Sequence, residues 1–365
     1  MRSSRNVSII IAAGVAVAIV MTIAIIFVIQ TGVKSSFYGM QLPVNGSYSS
    51  LALIQSIPIP NVNGRIDHMA VDITGGEKLL FVAELENNSL DIIDLNAGRR
   101  IHSIDNGLLN EPQGVVFIPE FGRIFVSNGQ DGSVDVFDVK SFNLNKNIKL
   151  PSGDADNIRY DPNNRLIYVG YGEGSLGIIN ATNDDIVGDI KLPAHPESFQ
   201  VEEANKSSES HYKRIFVNVP DSNSIVVVDK QKGIILTTWS IPNAQNNFPM
   251  ALDEANHRLF IGTRDPAKLI VFDTDSGKVV SSQNIAQDPD DIFYDAAEKR
   301  LYVSCGEGFI NIFQKQDANH YNPIGSIPTA PGARTSLFVP ELNRFYVAVP
   351  HQGSIESEIR VYKVG

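Results

Sequence analysis

The sequence predicts an all-β fold, a seven-bladed β-propeller of four-stranded blades, with an apolar segment ahead of it. Three observations carry this. An apolar–aromatic–apolar triplet recurs along the chain, its period matches one propeller blade, and the two ends of the repeat region supply complementary parts of a single blade.

The triplets are "KLLFVA", "GRIFVS", "RLIYVG", "RIFVNV", "RLFIGT", "RLYVSC" and "RFYVAV", centred on Phe81, Phe125, Tyr168, Phe216, Phe260, Tyr302 and Tyr346. Their intervals are 44, 43, 48, 44, 42 and 44 residues, the longest holding the polar insertion "NKSSESHY". A strand-like run precedes each triplet, as in "HMAVD", "NIRYD" and "DIFYD". Another follows it, as in "SLDIID", "SVDVFD" and "KLIVFD", and a fourth comes after that, as in "RIHSI" and "DIVGDIKL". Four short strands at this period indicate a propeller rather than a helical solenoid. Gly, Asn, Asp and Pro fill most gaps, as hairpin turns require. No window keeps apolar residues at helical spacing over a dozen positions, which excludes a helical reading.

The chain stops after the third strand of its seventh unit, at "IRVYKV", while "LALIQSIPIP" (residues 51–60) reads as a fourth strand lacking the first three. Pairing the two closes the ring over residues 51–365 and leaves only short edges. Residues 1–7 form a short tail carrying Arg2 and Arg5, and residues 8–30 begin with the uncharged run "SIIIAAGVAVAIVMTIAIIFVI". As a helix, that run spans roughly 33 Å, enough for a bilayer core. It is longer than the apolar region of a cleaved signal peptide and lacks a good small-x-small site, so an uncleaved signal anchor is expected. The flanking positive charges place the tail in the cytoplasm and the propeller on the extracytoplasmic side of the cell membrane. Residues 31–50 read as a flexible stalk. Asn45, Asn87, Asn180 and Asn205 begin N-x-[ST] sequons, in agreement with export.

With 365 residues, 43% of them hydrophobic, the chain can bury a large core. The net charge is −11 and no basic stripe is present, which argues against a nucleic-acid partner. The single cysteine, Cys305, excludes an intrachain disulfide and a Cys-based zinc site. It reads as a strand-end packing residue.

"FVSNGQDGSVDVFD" resembles the motif of the YVTN β-propeller family, a strand ending near Tyr-Val-Thr-Asn, a turn and a strand ending in Asp. The likeness extends over residues 51–365, and the phrases "RIDHMAVD", "EPQGVVFIPE", "DADNIRYDP", "HPESFQ" and "GARTSLFVPEL" resemble its exported prokaryotic members. The resemblance implies a seven-bladed propeller, often outside the cytoplasm, and supplies no catalytic residues.

The repeat provides its own control: what returns in every blade is architectural, and what breaks the symmetry is a candidate for chemistry. The basic residue before most triplets (Arg123, Arg214, Arg258, Arg300) and the Asp closing many third strands (Asp94, Asp138, Asp229, Asp273) belong to the first class. The segment before each first strand belongs to the second, reading "RIDH", "EPQG", "DADN", "HPES", "NFP", "DPDD" and "GART". First strands line the channel of a propeller, so these segments should form a ring at its mouth. The candidate ligand-binding ring is Asp67, His68, Gln113, Asp156, Asn157, His195, Glu197, Asp290, Asp291 and Arg334.

Carboxylates crowded at a narrow opening repel unless water, a proton, an arginine or a cation compensates. One reading is a hydrated mouth in which Arg334 pairs with Asp290 or Asp67. The other is a divalent cation held by Asp67, Asp156, Glu197 and Asp290, with His68 or His195 as an alternative ligand. An all-oxygen set suits Ca²⁺ or Mg²⁺; imidazoles favour a transition metal. A second ring (Glu84, Asn128, Tyr171, Asn218, Arg264, His351) is expected to be exposed on the same face, with Tyr171 as a possible stacking platform.

Two functions are compatible with this pattern. The first is a membrane-anchored binding or scaffold module whose loop face takes a peptide, a glycan or another envelope protein. The second is a metal-dependent lactonase- or esterase-like hydrolase with a cation at the channel mouth. A Ser-nucleophile mechanism is excluded by the lack of a G-x-S-x-G elbow.

Overall fold

A computed structural model describes residues 50–105, 107–202 and 213–365. The expected anchor (8–30) and tail, and the stalk up to residue 49, lie outside these residues, as do the sequons at Asn45 and Asn205. No helix among the described residues is long and apolar enough to cross a membrane.

Residues 51–365 form seven four-stranded antiparallel sheets, each a blade. Six blades are built from consecutive strands; the first runs through Met69–Asp72, Leu79–Glu84, Ser89–Asp94 and Arg99–Ile104. The seventh takes Ser336–Val339, Arg344–Val349 and Glu358–Val364 from the chain's end and Leu51–Pro58 from its beginning. That last pair runs antiparallel from Leu51 opposite Val364 to Pro58 opposite Glu358, so the ring closes as the half-blades at the two ends predict.

The triplet aromatics lie between blades. Phe81, Phe125, Tyr168, Phe216, Phe260, Tyr302 and Tyr346 are all buried, because a central strand needs its neighbours to cover both faces. Cys305 is buried among them in the blade 5–6 core, and burial pushes its thiol pKa up, as befits a packing residue.

The recurring polar residues serve the ring. Asp94, Asp138 and Asp229 each accept two backbone N–H bonds in the turn that follows. Several arginines ahead of the triplets reach into the next blade: Arg123 to Asp184 at 2.8 Å, and Arg258 to the carbonyl of Ala318 at 2.8 Å. Two buried ion pairs also cross blades, Lys230–Asp161 at 2.9 Å and Lys315–Asp253 at 2.7 Å.

Candidate functional site

The ladder register aligns the segments ahead of the first strands. Counted back from the strand ends, one position is occupied by Asp67, Gln113, Asp156, Glu197, Phe248, Asp290 and Arg334, one residue per blade. The next is occupied by His68, Gly114, Asn157, Ser198, Pro249, Asp291 and Thr335. In blades 2, 3, 5 and 6 a β-bulge interrupts the first ladder here, and the residue ahead of it (Glu111, Asp154, Asn246, Asp288) has φ between 56° and 59°. A bulge next to a left-handed residue re-aims side chains, here over the channel. Close approach depends on glycine at two places. A Cβ on Gly114 would lie 2.5 Å from the carbonyl oxygen of Asp156, and one on Gly306 would lie 2.1 Å from the Asp288 carboxylate.

Asp67, His68, Asp156, Asn157, Glu197, Asp290 and Asp291 therefore line one cavity, together with Arg65, Ser198, Phe248 and Thr335. Its volume of about 30 Å³ suits a water molecule or a metal ion. Of the remaining expected residues, Arg334 borders the cavity through Asp290, and His195 through Asp156 and Glu197. Gln113 stays outside the lining, and its backbone carbonyl accepts the His68 N–H at 3.3 Å.

The charges sort into two groups. Asp67 lies 2.8 Å from Arg65 and 2.7 Å from Nδ1 of His68. Burial opposes the ionised carboxyl of Asp67, but His68 and Arg65 outweigh it and hold its pKa below the usual range. Burial likewise opposes the His68 imidazolium, yet Asp67 raises its pKa to about 9. Asp290 is clamped between Arg264 and Arg334, the latter at 3.0 Å, and the same arginines hold Asp288 at 3.0 and 2.7 Å. Arg264 also lies over the Phe248 ring at 3.8 Å.

Asp156, Glu197 and Asp291 form the second group: among the described residues no Lys or Arg ion pair reaches them. Burial, then the charges of Glu197 and Asp67, pushes Asp156 up to about 8. Burial and Asp290 push Glu197 up to about 7. Asp291, also raised by burial to about 7, accepts the backbone N–H of Ser336 at 2.6 Å.

The ligand atoms of Asp156, His195 and Glu197 lie within 4.8 Å of one another. Nδ1 of His195 lies 2.6 Å from the carbonyl oxygen of Gly172, so it carries the proton and leaves the Nε2 lone pair available. Asn157, 3% exposed, lines the same cavity, and its Oδ1 has no hydrogen-bond partner among the described residues. Two carboxylates without a Lys or Arg ion pair, an imidazole nitrogen and an orphaned amide oxygen can together hold a cation. Of the four carboxylates expected as ligands, Asp67 and Asp290 instead carry arginine partners.

The second ring differs from expectation. Glu84, Asn128 and Asn218 are fully buried and Tyr171 is 1% exposed, so none is presented on the face. These residues end central strands and point between blades, where they tie loops together. The Tyr171 hydroxyl donates to Asp189 at 3.0 Å, and Asn218 donates to the carbonyl of Phe248 at 2.9 Å. Tyr171 is therefore no stacking platform. Arg264 turns to the mouth, and His351 is exposed. Sequence reasoning missed Arg65 and Phe248 as mouth residues, although both lie in its "RIDH" and "NFP" segments.

No family model matches the chain. A curated relative, antigen Lp49 of Leptospira interrogans serogroup Icterohaemorrhagiae serovar copenhageni, is 22% identical over 234 residues, covering 62% of this chain. The match spans 50% of that antigen's length. Among solved structures, a chain of the mitotic checkpoint complex superposes with a TM-score of 0.71 at 12% identity, covering 89% of this chain and 95% of its own. A chain of Kuenenia stuttgartiensis hydrazine synthase gives 0.66 at 16% identity, covering 84% and 96%. At these identities the likeness establishes the fold.

Proposed function

We propose that this chain is a binding module of the exported YVTN type, tethered by residues 8–30 on the extracytoplasmic side, whose channel mouth uses a divalent metal ion to hold its ligand. The observation that carries this reading is the convergence of Asp156, His195 and Glu197 within 4.8 Å. The imidazole favours a transition metal over Ca²⁺ or Mg²⁺, and even with the Asn157 oxygen as a fourth donor an ion of coordination number five or six keeps a position for an oxygen ligand. An acidic side chain of a partner protein fits that position. The loop face around the mouth differs from blade to blade, which suits a specific protein partner, and a chain of similar fold belongs to a protein complex.

Thermal unfolding of the full chain tests the metal. With Zn²⁺ or Mn²⁺ at about a hundred times Kd, stabilisation of ~2.7 kcal/mol is expected, or several degrees in Tm. EDTA should reverse the shift and Asp156→Asn should abolish it. Equal melting with every ion and with EDTA would refute the proposal.

Metal-dependent hydrolysis of a lactone or ester is a second reading, favoured by the open positions of the same donor set. The ion would polarise the carbonyl and lower the pKa of a bound water. His68, which Asp67 keeps protonated at neutral pH, serves there as a proton donor rather than a base. Turnover of lactones and aryl esters by the metal-loaded chain separates the two readings, since a binding module shows none.

A further inference from the structure

Below the mouth the first strands of all seven blades enclose a channel of about 520 Å³, within the range of small-molecule sites. One register position faces it in every blade, the residue opposite the triplet aromatic: Ala70 opposite Phe81, Phe293 opposite Tyr302, Leu337 opposite Tyr346. In six blades this residue is uncharged. In blade 3 it is Arg159, opposite Tyr168. Gln200 occupies the same level in blade 4 and donates to the carbonyl of Met250 at 2.9 Å. The channel is thus polar on one side, while Phe293 and Leu337 of blades 6 and 7 face that side across it.

Arg159 has no ion pair among the described residues. Its Nη1 donates to the carbonyl of Ile158 at 2.8 Å, and the guanidinium lies 5.8 Å from the Phe199 ring centroid. The nearest acidic charges are Asp291, which lines both the mouth and the channel, and Asp156 of the mouth; neither forms an ion pair with Arg159. The side chain is half-buried in the channel wall and an arginine stays charged, so it can take its counter-ion from a ligand in the channel.

We propose that the channel is a second ligand site for an amphipathic organic carboxylate, adjoining the mouth, with which it shares His68, Ser198 and Asp291, but with none of the proposed metal donors in its wall. The carboxylate pairs with the Arg159 guanidinium, in the fork geometry that arginine offers, and the apolar body packs against Phe293, Leu337 and Met250. This site does not depend on the metal.

Calorimetric titration of the full chain with 4-phenylbutyrate tests it, with neutral 4-phenylbutanamide as the matched control. EDTA is present throughout, so that a carboxylate on a metal ion at the mouth gives no signal. The expected result is saturable one-to-one binding of the acid, with the amide at least ~10-fold weaker because only the acid brings a charge to the half-buried guanidinium. Arg159→Gln should weaken the acid by a similar factor. If that variant does not fold, Ala70→Phe narrows the channel, leaves the guanidinium in place and should weaken binding as well. Absence of saturable acid binding, equal affinities for acid and amide, or wild-type affinity in a folded variant would overturn the proposal.

Discussion

His195 donates its Nδ1–H to the carbonyl of Gly172, 2.6 Å away, across the gap between the blade 3 hairpin and the entrance to blade 4. Asp154 lies 3.3 Å from the same nitrogen and supports the same proton position. A ligating histidine held in this way has its tautomer and ring orientation fixed in advance. Loss of outer-shell partners typically costs ~10–100-fold in metal affinity, so removal of the ligand itself should cost at least as much. His195→Ala should therefore weaken Zn²⁺ binding by ~100-fold or more, read by competition with a chromophoric chelator. Asp154→Ala should cost less, since the Gly172 carbonyl remains. Equal affinity of His195→Ala and wild type would remove His195 from the site.

The carboxyls without arginine partners make the metal-free protein sensitive to pH. Asp156, at about 8 in the fold, has an ordinary value of 3.8, so between these values the folded state holds a proton that the unfolded chain releases. His68, raised from 6.5 to about 9, acts in the same direction. Both contributions are complete below the unfolded pKa and are lost as pH rises through the folded one. Metal-free Tm should fall from pH 6 to pH 9, and Asp156→Asn should flatten the fall and exceed wild type by ~1 kcal/mol or more at pH 9. Saturating metal should reverse that order. Denaturant titrations in EDTA across this range measure it, and a wild-type stability that rises over the range would contradict the assigned shifts.

The fold was legible because a propeller writes its period into the chain, and Phe81 to Tyr346 mark every blade at the same phase. The mouth was legible because it breaks that symmetry: aligned copies place acids at Asp67, Asp156, Glu197 and Asp290 but Gln113, Phe248 and Arg334 at the same position of the other blades. Which carboxylates are neutralised was not legible. Arg264 reaches Asp290 from one blade and Arg334 from another, contacts between residues far apart in the chain that depend on loop geometry. Nor was the inward turn of Glu84, Asn128 and Tyr171, because a strand's last residue faces either loop or core according to register alone. Arg159 carried a signal that went unused, the one charge at a channel level otherwise filled by residues such as Ala70, Gln200 and Leu337.

Lys315 and Asp253 form a buried pair at 2.7 Å, linking blade 6 to blade 5, with the lysine also 3.2 Å from the Tyr294 hydroxyl. Removing one partner leaves the other charge desolvated and uncompensated. Lys315→Met should cost about 3–5 kcal/mol, whereas the double change Lys315→Met with Asp253→Leu should recover part of that loss, less the Asn256 bonds that Asp253 accepts. Urea unfolding of the wild type, the two single variants and the double variant reads the coupling. Additive losses in the double variant would show that the pair contributes through packing rather than through charge.

Ring closure rests on one strand, Leu51–Pro58, of which only Leu51 and Ile57 are buried. Ile57 joins the core shared by blades 7 and 1, beside Tyr346 and Ile359. Ile57→Ala should therefore cost about 2–5 kcal/mol, while the same change at the half-exposed Ile54 should stay within ~0.5 kcal/mol. Deleting residues 51–58 has a further consequence, since it strips Glu358–Val364 of its outer neighbour and leaves a long unpaired edge. That protein should self-associate, measurable by light scattering at concentrations where the intact chain scatters as a single species. A deletion variant with unchanged size and stability would mean that Glu358–Val364 can serve as an edge strand and that the ring does not need its closing strand.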